Sequence, residues 1–194
     1  MRTVTIAEIM AVALTSAVIT DPMAENHVDK ACRLFTEGLN CAQAVFVAFS
    51  DITGFDERTA MRLSSSFGGG MGRMREVCGT CSAMFMIAGL LYGLDPGFDD
   101  KQKAEHYARI QELASAFKAE HETIVCRELL KGLKVTSTPI PEKRTEHYYK
   151  VRPCIKFVHT AAQVLENYLE AHPVSPSIAN ASSDLADNNS DGGN

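Results

Sequence analysis

Cys78-Gly79-Thr80-Cys81-Ser82-Ala83-Met84-Phe85-Met86-Ile87-Ala88-Gly89-Leu90-Leu91 is the stretch that decides the fold. It is long enough for about four helical turns and carries no charged residue. A helix without a polar face must be surrounded by other elements, so the segment predicts a buried central helix. Gly79, Ala83, Ala88 and Gly89 thin its surface and let neighbours approach closely. Tyr92-Gly93 and Asp95-Pro96-Gly97 close it.

Helix punctuation recurs on both sides of this segment. Asp21-Pro22 precedes a helix from about Ala24 to Glu37, with Val28, Ala31, Cys32, Leu34 and Phe35 on its stripe and Gly38 as its stop. Asn40 caps a second helix from Cys41 to about Ile52, and Asp56 opens a third to about Ser66. Lys101 to Lys131 contains neither Gly nor Pro. As one helix it would run ~45 Å, longer than a compact domain of this size. It is therefore expected to break or to overhang onto a second subunit, which makes a homodimer the expected assembly.

Residues 132 to 152 form a polar connection, and the last helix starts at Pro153 and runs to about His172. Strand signals are almost absent. The fold class expected is all-α, a bundle of about six helices around the central one at about 78–91. Residues 1–20 form an N-terminal extension with helical periodicity. Residues 21–172 form the cysteine-containing domain, and 173–194 a polar tail expected to be disordered.

With 194 residues, 45% hydrophobic and 22% charged, the chain has ample material for a core. Nineteen basic residues face 24 acidic ones without a basic cluster, and Trp is missing, which argues against a nucleic-acid partner. No run reaches the ~20 apolar residues of a membrane span. The stretch from Ile9 to Ile19 lacks the flanks and cleavage site of a signal peptide. The chain is therefore expected to be cytoplasmic, where thiols stay reduced unless they have a redox or metal-binding task.

The cysteines stand at 32, 41, 78, 81, 126 and 154. Cys41, Cys78 and Cys154 each fall in the first turn of a predicted helix, where unpaired N–H groups and the helix dipole favour a thiolate. Arg73, Arg75 and Arg152 precede two of them closely. Each of the three also begins an apolar stripe, so their side chains point inward. Cys32 is read as packing. Cys126 lies near the end of the long predicted helix, where the dipole opposes a thiolate, and local context does not select it.

Cys78 and Cys81 form a CxxC on one helix face, without the βαβ setting of thioredoxin and without a haem-binding His next to it. The histidines are too scattered for a zinc site. The Gly68–Gly72 run is read as a tight turn into the central helix, its amides close to the Cys78 sulfur, rather than as a phosphate loop.

Asn40-Cys41-Ala42-Gln43-Ala44-Val45, Phe67-Gly68-Gly69-Gly70-Met71-Gly72, Cys78-Gly79, Cys126 and Arg152-Pro153-Cys154, in that order, resemble the C_GCAxxG_C_C family. Its members are described as redox-active and are related to the split-Soret cytochromes. The resemblance covers about residues 28 to 169. It implies a site of four cysteines, Cys41, Cys78, Cys126 and Cys154, and so brings in Cys126. Thr80 and Ala83 depart from the family's Ala and Gly, and Cys81 is an addition.

Three functions follow as expectations. The first is a redox protein, a thiol–disulfide oxidoreductase or electron carrier with Cys78 as attacking thiolate and a redox partner the sequence does not identify. The second binds zinc or an iron–sulfur cluster through the same four thiolates, with the participation of Cys81 left open. The third is a non-catalytic structural protein whose cysteines pack. The first two require the four thiols to converge.

Overall fold

The computed structural model describes residues 25–174. The expectations for 1–20 and for the tail past 174 lie outside the described residues. Within 25–174 the architecture is all-α: nine α-helices and one 3-10 turn, with no strand longer than a single bridge.

Six helices are eight residues or longer: α1 (His27–Thr36), α2 (Cys41–Ala48), α4 (Glu57–Ser64), α5 (Gly79–Tyr92), α6 (Asp100–His121) and α9 (Cys154–Ala171). They match the six expected from the sequence. Three short ones fall between them: α3 (Ser50–Thr53), α7 (Cys126–Leu129) and α8 (Glu146–Val151).

Capping sets several starts. The Asn40 side chain accepts from the Ala42 and Gln43 amides while the Gln43 side chain accepts from the Asn40 amide, a closed capping box at α2. Asp99 and Gln102 build the same box at α6. Each such cap contributes about 1 kcal/mol.

α5 packs against α2, α6 and α9, and α9 crosses α1, α2, α5 and α6. On α9 the inward residues Phe157, Val158, Ala161, Ala162 and Leu165 follow helical spacing. α5 is buried on every side from Gly79 to Met84, which positions its N-terminal end at the centre of the fold. Its last turns differ from expectation. Leu90 is exposed, because past Met84 the helix is buried on one face only, through Ile87, Ala88 and Leu91.

Two predicted helices break. The expected 41–52 helix divides at Phe49, whose buried ring stacks on His27. The Lys101–Lys131 stretch ends its helix at His121, where Glu122 takes φ +64°. The 22-residue α6 is therefore only ~33 Å long, and the length argument for an overhang no longer applies. The chain leaves the helix because its next residues pair elsewhere. Val125 bridges Val77 in antiparallel sense, with Cys78 N–H donating to Ile124 O at 2.7 Å and Cys126 N–H donating to Glu76 O at 2.6 Å.

Candidate functional site: a thiol-lined cavity

Four cysteines that are widely separated in sequence line one cavity of about 310 Å³. They are Cys41, Cys78, Cys126 and Cys154. Cys41, Cys126 and Cys154 are the first residues of α2, α7 and α9, and Cys78 immediately precedes α5. Helix starts converge here because α2, α5 and α9 pack on one another with these ends adjoining the same space.

Cys126 reaches the site by a route the sequence hid. It does not end a long helix; it follows the Val77–Val125 bridge and opens a helix of its own. In an antiparallel pair the residues flanking a bridge share the opposite face. Cys78 and Cys126, each one residue past its bridge partner, therefore project to the same side.

The glycine-rich turn, residues 68–74, forms the adjoining wall. It closes on the thiols at Gly70, where a Cβ would stand 2.7 Å from the Cys126 Cβ and φ is +73°. Met71, Arg73 and Arg75 also hold positive φ, an uncommon cluster for residues with side chains. The Gly69 amide favours the Cys41 thiolate, though burial outweighs it.

All six cysteines are free thiols. Cys78 is buried, and its Sγ lies 3.2 Å from the Thr80 hydroxyl. Its pKa falls to about 7, chiefly because the Cys81 thiol donates to its sulfur, with the Thr80 hydroxyl and the amides of Thr80 and Cys81 adding to the effect against burial. The start of α5 favours negative charge on Cys78. Cys81 is accordingly pushed up, by burial first and then by Cys78.

The other cavity thiols shift upward. Burial, with the Cys78 charge second, raises Cys41 to about 12 and Cys154 to about 11. Cys126 rises for the same two reasons, opposed by Arg75, whose side chain donates to its sulfur. In each case Cys78 is the thiol whose charge is felt most strongly.

Cys81 is fully enclosed behind Cys78 and does not line the cavity. Cys32, on α1, is also outside it and packs against the core.

Among the described residues, no group of three or more His, Cys, Asp or Glu is arranged to hold a metal ion. Nor, among the described residues, is any helix long and apolar enough to cross a membrane.

Sequence reasoning missed the charged wall. Arg144, Glu142 and Tyr148 come from the segment read as a plain polar connection, yet all three line the cavity. Nothing in that segment's periodicity signals it, because its residues pack through single side chains rather than along a stripe.

No curated protein and no solved structure matches the chain. A family described as "Putative redox-active protein (C_GCAxxG_C_C)" matches over residues 39–168. That span is about two thirds of the chain and contains every cavity cysteine. The chain belongs to the C_GCAxxG_C_C family, which is described as redox-active.

Proposed function

We propose that the cavity is a thiol–disulfide redox site in which Cys78 is the attacking thiolate. One observation carries this reading: four thiols from separate elements share a cavity, and only Cys78 among them has its pKa lowered, to about 7. At neutral pH about half of Cys78 is thiolate, the nucleophilic form.

The reaction proceeds in two exchanges. The Cys78 thiolate attacks one sulfur of a low-molecular-weight disulfide. A Cys78–substrate bond forms, the substrate S–S bond breaks, and one half leaves as a thiolate with the electron pair. A second protein thiol then loses its proton to solvent and attacks the Cys78 sulfur. The protein disulfide forms and the second half leaves. Overall a protein dithiol becomes a disulfide, and the substrate disulfide, taking two electrons and two protons, becomes two thiols.

Electrostatics orders the two steps. Cys41, Cys126 and Cys154 are held protonated partly by the negative charge on Cys78. Once Cys78 is in a mixed disulfide that charge is gone, and the second thiol ionises more readily.

The test is the pH dependence of alkylation at each cysteine, resolved by peptide mass spectrometry. Cys78 should titrate with a midpoint near 7, and Cys41 and Cys154 well above 9. A Cys78 midpoint at or above 9 would leave a set of packed cysteines and remove the redox reading.

A further inference from the structure

Beside the thiols the cavity is strongly cationic. Arg73, Arg75, Arg144 and Arg152 line the cavity, and Glu142 is the single carboxylate among its lining residues. Three guanidinium Nη2 atoms converge on one oxygen of that carboxylate, Glu142 Oε1. Arg152 is hydrogen-bonded to it, Arg73 stands at 3.7 Å and Arg75 at 3.9 Å. Arg75 and Arg152 are themselves buried.

Backbone oxygens hold this cluster in place. Arg75 donates through Nε and Nη2 to Thr136 O at 3.0 and 2.7 Å, and Arg73 Nε donates to Thr138 O at 2.7 Å. Arg144 donates through Nη2 to Leu39 O, while its Nη1 is buried without a hydrogen-bond partner among the described residues.

Four guanidinium charges against one carboxylate leave three positive charges in excess. With Cys78 ionised, two remain. Buried charge of one sign is costly unless it is paired, so the cavity as it stands is short of negative charge. Guanidinium forks pair best with planar oxyanions, carboxylate above all. The convergence on Glu142 shows that these guanidinium groups are oriented to receive carboxylate oxygens. The volume, near the lower end of small-molecule pockets, suits a compact ligand.

We infer that the cavity selects a small disulfide bearing carboxylates, its negative groups on the Arg73–Arg75–Arg152 cluster and its S–S bond presented to Cys78. This rests on the thiol-redox reading above and adds the substrate class. The chemistry is the exchange already balanced there, with the anionic disulfide as the two-electron acceptor.

The experiment compares three probe disulfides of similar size and different charge: dithiodiglycolate (dianionic), 2-hydroxyethyl disulfide (neutral) and cystamine (dicationic). Each is mixed with the full-length reduced protein at pH 7, and modification of Cys78 is followed by mass spectrometry. Dithiodiglycolate should react at least about tenfold faster than the neutral disulfide, and cystamine slowest, as expected for a cleft lined by one sign of charge. Arg152→Gln and Arg73→Gln should each narrow that spread. Because the order in the wild-type protein is itself diagnostic, the test survives a variant that does not fold. Reaction with the neutral disulfide but no preference for the anionic one overturns the inference and leaves the redox reading standing. No reaction at Cys78 with any of the three overturns both.

Discussion

The Cys41 sulfur rests on the backbone of Gly79: a Cβ at position 79 would stand 2.7 Å from Cys41 Sγ and equally close to the Phe67 carbonyl oxygen. The first residue of α2 and the first residue of α5 thus meet through a sulfur and a missing side chain. This contact sets Cys41 beside Cys78, and a glycine is required for it.

Gly79→Ala should therefore destabilise the protein, although Ala is the better helix former by about 1 kcal/mol. Overpacking against a sulfur and a backbone oxygen costs about 1–3 kcal/mol. A lower urea midpoint with an unchanged slope is the expected result. A rise in the midpoint would mean that Cys41 does not pack against α5 as described.

Thr80→Val removes the hydroxyl 3.2 Å from Cys78 Sγ while keeping the shape. The Cys78 pKa should rise by about half a unit to one unit, since charge-assisted hydrogen bonds exceed neutral ones in strength. The alkylation profile of Cys78 measures this directly. An unmoved midpoint would show that the hydroxyl does not stabilise the thiolate.

Stability should depend on pH through the same thiol. The folded pKa of Cys78 is depressed, to about 7 from the ordinary 9.0, so its contribution is full above pH 9 and lost as pH falls through 7. Cys41 and Cys154 act oppositely. Their raised values make their contribution full below pH 9, and it is lost as pH rises towards 11 and 12. Chemical denaturation from pH 6 to 11 should show stability rising from 7 to 9 and then falling. Cys78→Ser should abolish the rise, and a rise that persists in that variant would place it on another group.

His27 offers a separate check on helix packing. Its Nδ1 lies 2.6 Å from Glu166 Oε2 on α9, its Nε2 3.0 Å from Asp51 Oδ2 on α3, and its ring stacks on Phe49. Burial opposes its protonation, but hydrogen bonds to Asp51 and Glu166 outweigh that and raise its pKa. Its contribution is full below the ordinary value of 6.5 and declines as pH rises through the folded value. His27→Gln should lower the thermal midpoint more at pH 6 than at pH 8. Equal losses at the two pH values would show that the ion pairs contribute nothing.

The six long helices were legible because local chemistry marks them: a capping box at Asn40–Gln43, another at Asp99–Gln102, and an uncharged run in α5. Three of the four cavity cysteines were legible for the same reason, since each stands at a marked helix start. Cys126 was not, because its position depends on the pairing of Val125 with Val77. That contact spans 48 residues and leaves no local periodicity. The Arg–Glu142 cluster is hidden likewise: Arg152 stands out in the sequence for its nearness to Cys154, but its partner is a loop carboxylate on a segment without pattern.

The central claim is that Cys78 shares a redox site with the thiols around its cavity. Equilibrating the protein anaerobically over a graded series of dithiothreitol redox buffers, then quenching and mapping disulfides, tests it most directly. The account predicts that two thiols are lost reversibly, in one two-electron step, and that the bond formed joins Cys78 to another thiol of the cavity or to Cys81. Six thiols that stay free across the whole series, or a disulfide that omits Cys78, would contradict it.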